Sequence, residues 1–218
     1  AAGSKSVTGS GTATRTITLD NLTGSGTLAV SIASATANDF AGNSAPTASA
    51  SDNITVDNTA PSGLALTVAG GDAYATAQAV SLTLSGSDNH SVTGYFLSES
   101  STTPSLDNFT SVTATDNYSA SLGFTLSSGD GAKTVYGWLR DTAGNIGGSA
   151  SDNISLDTTA PTVSVGSPSD NHSNSGPVSY TVSYTGADNV TLVADNVTVT
   201  ATGTAAAGSK SVTGSGTA

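Results

Sequence analysis

Short carboxylates are the side chains of this sequence best suited to chemistry. Fifteen of its sixteen acidic residues are Asp, and only Glu99 is Glu. Asp oxygens are ligands for hard cations such as calcium. The same side chain also forms Asx turns with its own backbone, so both interpretations stand for any single Asp. We expect calcium ligands among six Asp residues at predicted strand ends and in loops: Asp39, Asp57, Asp88, Asp141, Asp157 and Asp188.

Asn residues that follow Asp form a second set of candidate sites. The sequence has ten Asp-Asn pairs, and nine continue as D-N-x-[ST], the acceptor pattern for N-linked glycan in an exported protein. Only Asn58 departs from the pattern. The alternative explanation is low complexity in Asp, Asn, Ser and Thr. The predicted glycosylation sites are Asn21, Asn53, Asn89, Asn108, Asn117, Asn153, Asn171, Asn189 and Asn196.

Catalytic patterns are missing from the sequence. His90 and His172 lie in D-N-H-S tetrads, where side chains of the triad type follow one another directly and cannot converge in triad geometry. The chain has no Cys, which excludes thiol catalysis, and two His are too few for a structural zinc site. We therefore expect a protein that is not an enzyme.

The predicted strand at residues 133–140 has two opposite faces. If Val135 and Leu139 face the core, Tyr136 and Trp138 point outward and form a contact surface for a sugar or for another strand. In the other orientation the aromatic residues are core and Val135 lies outside. The sequence leaves both orientations open.

The chain repeats itself on two scales. Residues 1–13 reappear unchanged as residues 206–218, and the phrase S-A-S-D-N-I at Ser49 returns at Ser149. We infer that two related domains alternate in a tandem array, which suits a spacer, fibre or surface coat because each unit contacts mainly its neighbours. The predicted segments are the C-terminal part of one repeat, a complete repeat, and the N-terminal part of the next, at residues 1–58, 59–158 and 159–218.

Composition and periodicity predict an all-β fold. Ser and Thr make up 71 of 218 residues, and helix formers such as Glu, Lys, Gln and Met are scarce or missing. Val80, Leu82 and Leu84 alternate with Ser and Thr, as in a half-buried strand. We expect tandem immunoglobulin-like β-sandwiches, one complete and two partial. The strands predicted for the complete unit are residues 64–68, 79–84, 94–98, 109–113, 120–126, 133–140 and 153–156.

The flanking segments contain fewer predicted strands. Neither flank has enough strands to close a core alone, so we expect each to be completed by an identical unit. The strands predicted there are residues 15–19, 27–33, 53–56, 162–165, 178–184, 190–193, 197–201 and 210–213.

Two recurring phrases carry a resemblance to a known family. A D-x-T-A-P join ends at Pro61 and at Pro161, and a D-x-A-G-N turn begins at Asp39 and at Asp141. Together with the phrases K-T-V-Y-G-W-L-R-D-T-A-G-N and G-A-D-N-V-T-L-V-A-D-N-V-T-V-T-A-T-G-T-A, they resemble the bacterial immunoglobulin-like repeats of giant secreted surface adhesins. The resemblance implies an extended array at the bacterial cell surface or in a biofilm matrix, often with calcium at the domain joins.

Charge and hydropathy narrow the expected partners. A net charge of −11 argues against nucleic acid and anionic membrane surfaces, and no apolar run is long enough to span a bilayer. We expect identical repeats along a fibre axis as partners, together with other cell-surface or matrix components, in an extracellular location. The rival function is a carbohydrate-binding or accessory immunoglobulin-like module of a secreted enzyme. The sequence argues against this function because it contains only one Trp, Trp138, and only one Glu, Glu99.

Overall fold

The computed structural model describes residues 4–9, 11 and 14–214, and this part of the chain is β-structure joined by turns and loops. The chain divides into two compact units at the boundary between Asp157 and Thr158. The three-segment domain scheme remains a prediction. The strands are β1 Lys5–Thr8, β2 Thr16–Leu19, β3 Gly26–Leu28, β4 Ile54–Val56, β5 Ser62–Val68, β6 Tyr74–Ala75, β7 Ala79–Ser98, β8 Thr110–Thr125, β9 Gly131–Asp141, β10 Ala150–Leu156, β11 Thr162–Pro168 and β12 Tyr180–Thr185.

Helix is confined to short turns in the described residues. Three 3₁₀ turns occur at Ala69–Gly71, Leu106–Asn108 and Ala194–Asn196. No helix in the described part of the chain is long and apolar enough to cross a membrane. The all-β prediction is confirmed.

A curled, mixed sheet forms the centre of the first unit. Its strand order is β5-β7-β9-β10-β6. Strand β8 also pairs with β7 and is not part of this order. All pairs are antiparallel except β10 with β6. The sheet curls until β5 also packs against β10, where the Val68 N–H donates to Asp152 Oδ2 at 2.8 Å.

Strand alternation places the core as the sequence predicts. Leu82 is 2% exposed and Leu84 is fully buried, while Ser81 and Thr83 between them are exposed. On β9, Val135 and Leu139 are both fully buried. The four buried apolar residues on β7 and β9 form one cluster with Leu66, Val68, Ala75, Val92, Tyr118, Leu126, Ile154 and Leu156.

Two predicted strand boundaries are wrong. Residues 79–84 and 94–98 belong to one continuous strand, β7, which is 20 residues long. Residues 110–113 and 120–125 of two further predicted strands likewise lie in the single strand β8. The D-N-H-S tetrad at Asp88, which lies between the two strands predicted within β7, is accommodated as an irregularity in the pairing between Ser87 and Val92.

The segment before Asp57 is held by two small sheets. β1 pairs with β2, and β3 pairs with β4, each in a two-stranded antiparallel arrangement. Most of the predicted strand at residues 27–33 is extended chain, with one isolated bridge between Ile32 and Ala48. This segment contributes Val56 to the buried residues.

The second unit contains one strand pair, β11 with β12. The strands predicted at residues 190–193, 197–201 and 210–213 are not formed, because a strand needs a hydrogen-bonded neighbour and the described part of this unit supplies none for them. None of the described side chains of this unit is fully buried. Exposed apolar residues therefore remain, with Val163 at 62% and Val165 at 65% exposure.

Candidate metal site

Three of the predicted ligands meet in the first unit. Asp57, Asp88 and Asp141 each present a carboxylate oxygen, and these oxygens lie within 4.8 Å of one another. We refer to these three residues as the Asp cluster. Among the described residues no other three side chains of the metal-ligating types converge in this way.

Distant parts of the chain position the Asp cluster. Asp57 follows β4 directly, Asp88 lies in the irregular part of β7, and Asp141 is the last residue of β9. The break in pairing between Ser87 and Val92 frees Asp88 from regular strand alternation. Asp88 is 8% exposed and Asp141 is 2% exposed.

The D-x-A-G-N turn holds Asp141 in place. The backbone N–H groups of Gly144 and Asn145 donate to Asp141 Oδ1 at 2.7 and 2.8 Å, and the Asn145 amide donates to Oδ2 at 2.7 Å. Gly144 has a φ of +93°, a region that glycine adopts without steric cost. The motif therefore encodes a rigid turn whose first residue supplies the carboxylate.

Backbone and side-chain donors surround Asp57. Its Oδ1 accepts hydrogen bonds from the Thr59 N–H at 3.0 Å, the Ser25 hydroxyl at 3.0 Å and the Asn89 amide at 3.5 Å. The Thr59 N–H first, and then the Ser25 and Asn89 donors, lower the pKa of Asp57 below its ordinary value. The cluster therefore contains a carboxylate that stays ionised.

Two oxygens of the Asp cluster lack hydrogen-bond partners. Asp57 Oδ2 and Asp88 Oδ2 are buried and accept no hydrogen bond, while Asp88 Oδ1 accepts from the His90 N–H at 2.8 Å. The His90 ring lies beside this oxygen, with its Nδ1 at 3.5 Å from Asp57 Oδ2. Buried carboxylate oxygens are costly without a counter-charge, and a bound cation would supply one.

Asn145 connects the Asp cluster to the chain that leads into β5. Its amide donates both to Asp141 Oδ2 and to the backbone carbonyl of Asp57, the latter at 3.1 Å. The sequence marked Asn145 as part of a turn motif, but its role as a cross-link depends on a residue 88 positions away. Ser25 and Asn89 carried no signal in the sequence that placed them at Asp57.

The other three predicted ligands lie outside the Asp cluster. Asp39 is exposed and accepts hydrogen bonds within its own turn, from the Asn43 N–H at 2.8 Å and the Asn43 amide at 2.8 Å. Asp157 is exposed at the end of the first unit, and Asp188 is exposed in the second unit. Their role as ligands stays a prediction.

The Asn residues of the D-N-x-[ST] sites share one property. All nine are exposed, which is what attachment of a glycan requires. The side-chain oxygen of Asn108 accepts hydrogen bonds within its own turn, and that of Asn153 accepts one from the Thr134 hydroxyl on the paired strand. Glycosylation stays a prediction.

The first of the two orientations predicted for β9 is confirmed, but the exposed aromatic surface expected with it is wrong for Trp138. Val135 and Leu139 are core residues, so Tyr136 and Trp138 do lie on the opposite face. Trp138 is nevertheless only 1% exposed, because Phe96 packs against it at a ring separation of 5.9 Å and neighbouring structure covers this face. Trp138 is therefore not an outward contact surface.

The cation chemistry of the Asp cluster follows from its donor atoms. All three ligands are carboxylate oxygens, the type that calcium, magnesium and manganese prefer. No known protein family, curated protein or solved structure matches the chain. The class that fold and site define is thus an all-β protein whose three clustered Asp residues could bind a metal ion.

Proposed function

We propose that the chain is a structural repeat segment of a large bacterial cell-surface adhesin or extracellular filament, and that calcium at the Asp cluster stiffens the join between successive immunoglobulin-like repeats. The observation that carries this proposal is the position of Asp57. It lies four residues before Pro61, where the D-x-T-A-P phrase leads into the central repeat, and it meets Asp88 and Asp141 of that repeat.

The composition of the site favours calcium over the other hard cations. Calcium accepts six to eight oxygen ligands in flexible geometry, so carboxylates from three separate chain segments can be combined with backbone carbonyls and water. Magnesium requires a near-ideal octahedron of short bonds and retains its water shell more strongly. A site assembled from three distant chain segments suits the more tolerant ion.

The proposed mechanism is mechanical. Without a cation, three close carboxylates repel one another and oppose the approach of Asp57 to Asp88 and Asp141. With calcium bound, the same oxygens attract one ion and fix the chain between β4 and β5. Pro61, which is buried, fixes the backbone at this join still further.

Two further features support a spacer rather than a sugar-binding module. Repetition of residues 1–13 as residues 206–218 suits an array that gains length by adding units. Burial of Trp138 removes the one Trp from the surface, where it would have to lie in order to stack on a sugar.

Calcium removal tests this function. Binding to the native state alone should raise the free energy of unfolding by about 2.7 kcal/mol at a calcium concentration of one hundred times Kd. We expect chelator to lower Tm and to broaden the distribution of lengths measured by small-angle scattering. An Asp88→Asn variant is the matched control, and its Tm should respond less to calcium than that of the unaltered protein. Unchanged Tm and unchanged scattering of the unaltered protein in chelator would refute the proposed function.

A further inference from the structure

Asn58 is the one Asn of the ten Asp-Asn pairs that lies outside the D-N-x-[ST] pattern, and its side chain makes a contact of its own. The Asn58 amide donates to the Gly24 carbonyl at 2.8 Å and to the Leu22 carbonyl at 3.5 Å, 34 and 36 positions earlier in the chain. Both carbonyls lie between β2 and β3, in residues 20–25, which we call the β2–β3 turn. The amide nitrogen that would carry a glycan therefore holds the D-x-T-A-P join against this turn.

Ser25 of the β2–β3 turn contacts the same join. Its hydroxyl donates to Asp57 Oδ1 at 3.0 Å and accepts from the Asn58 N–H at 3.4 Å. The Thr59 hydroxyl lies 3.0 Å from Ser25 Oγ, and Thr59 is the donor in this bond because the one proton of Ser25 is given to Asp57. One side chain thus holds three consecutive residues of the join and uses its full hydrogen-bonding capacity to do so.

The two carboxylate oxygens of Asp57 connect to different parts of the molecule. Oδ1 accepts the hydrogen bonds from Ser25 and Thr59, whereas Oδ2 is buried and has no hydrogen-bond partner. Asp88 Oδ2 is buried without a partner in the same way. A cation at the Asp cluster can therefore bind Asp57 through Oδ2 while Oδ1 keeps its bond to the β2–β3 turn. Asp57 links the position of the ion to the position of the turn.

The sheet of β3 and β4 ends at this contact. Gly26 and Val56 are its last pair, and Ser25 and Asp57 are the neighbouring residues of the two strands. The hydrogen bond between Ser25 and Asp57 thus adds one further link across the end of the sheet. A two-stranded sheet is only marginally stable in water, so a fixed link at its end should reduce its opening.

We propose that Asn58 and Ser25 are positioning residues of the cation site, and that calcium at the Asp cluster fixes the β2–β3 turn and the sheet of β3 and β4 in place. This inference rests on the proposed function and deepens it, because it names the part of the chain to which the bound ion is coupled. The coupling is reciprocal: the turn that orients Asp57 strengthens calcium binding, and bound calcium strengthens the docking of the turn.

The second join of the chain lacks these donors. It reads D-T-T-A-P, with Thr158 at the position of Asn58. Thr has a single hydroxyl donor and no amide, so it cannot donate to two carbonyls as Asn58 does. The register of the sheets places Asp130 where the first join has Ser25, and a carboxylate does not donate as a hydroxyl does. In an array of such units the two kinds of join would alternate, and Thr158 provides a matched control.

Amide hydrogen exchange with and without calcium tests the coupling. In the unaltered protein we expect calcium to slow the exchange of the β3 and β4 amides at least ~5-fold, because the bound ion opposes opening of the sheet. In Asn58→Ala and in Ser25→Ala the same amides should respond to calcium less than ~2-fold, and Kd for calcium should rise at least ~3-fold. Thr158→Ala, the equivalent substitution at the other join, should leave both quantities unchanged.

Fluorescence of the buried Trp138 verifies that each variant retains its core, as we expect because Asn58 and Ser25 are exposed. Exchange that rises equally with and without calcium in the two variants would show a purely structural role and would overturn the inference. Calcium binding to the unaltered protein without slower exchange in β3 and β4 would overturn the inference alone and leave the cation site intact. No calcium binding to the unaltered protein would overturn the cation site and this inference together.

Discussion

Residues 59–158 and the segments on either side of them contain the same motifs in different surroundings. The D-x-A-G-N turns at Asp141 and at Asp39 share three internal hydrogen bonds. The N–H and the side-chain amide of the last Asn donate to the Asp carboxylate, and the Asp N–H donates to the Asn carbonyl at 3.1 Å. Asp141 is 2% exposed and joins the Asp cluster, whereas Asp39 is exposed. The motif therefore determines the turn, and residues far along the chain determine whether the turn becomes a site.

The same contrast holds for strands. Leu82 of β7 is 2% exposed, and Val182, 100 positions later in β12, is only half-buried. Both positions belong to alternating segments. Burial depends on whether the other strands of the sheet are present.

The largest expected effect is in the core. Leu82→Ala should lower the free energy of unfolding by about 2–5 kcal/mol, because it removes buried contacts and leaves a cavity. Val182→Ala, its counterpart in the second unit, should change the stability of the isolated chain by less than about 1 kcal/mol. Chemical denaturation measures both. Equal losses would mean that the second unit has a closed core in solution.

The next effect separates the two turns. At saturating calcium, Asp141→Ala should lower the free energy of unfolding by roughly 2–4 kcal/mol, because it removes three hydrogen bonds to a buried carboxylate and one cation ligand. Asp39→Ala removes the equivalent bonds at an exposed turn and should leave the main unfolding transition unchanged. A similar loss for both variants would contradict the assignment of the site to Asp141.

A smaller effect concerns the packing of the join. A Cβ on Gly147 would lie 2.5 Å from the Pro61 carbonyl oxygen, whereas a Cβ on Gly148 would contact nothing within 4 Å. Gly147→Ala should destabilise by about 1–3 kcal/mol and weaken calcium binding, since it moves the chain after Asp57 away from the Asp141 turn. Gly148→Ala is the control. Calorimetry of unfolding with and without calcium distinguishes the two contributions.

The smallest effect is a titration at the exposed turn. The Asn43 amide and the Asn43 N–H lower the pKa of Asp39 in the folded state. The stability that this turn gains from the ionised form is present above the unfolded pKa, near 3.8, and is lost as pH falls through the lower folded value. Asn43→Ala should raise the pKa of Asp39 toward 3.8, as measured by NMR of the carboxyl carbon. An unchanged pKa would show that the amide contributes nothing.

Local signals predicted local structure well. Alternation at Val80, Leu82 and Leu84 identified a strand and its buried face, and the D-x-A-G-N phrase identified a turn at both of its positions. Three of the six predicted ligands, Asp57, Asp88 and Asp141, converge.

Long-range pairing was the part that the sequence did not reveal. Residues 190–193 and 197–201 have strand-like composition but no partner strand, so they remain extended loops. Burial of Trp138 depends on Phe96 of β7, and the support of Asp57 depends on Ser25, 32 positions away. These contacts arise from tertiary packing, which no local pattern specifies.

Calcium titration by isothermal calorimetry tests the central claim most directly. The account predicts one saturable calcium site that depends on the Asp cluster, with affinity reduced at least ~10-fold in Asp88→Asn and unchanged in Asp72→Asn, a substitution at an exposed Asp outside the cluster. Binding to Asp88→Asn with the affinity of the unaltered protein, or no saturable binding to that protein, would contradict it.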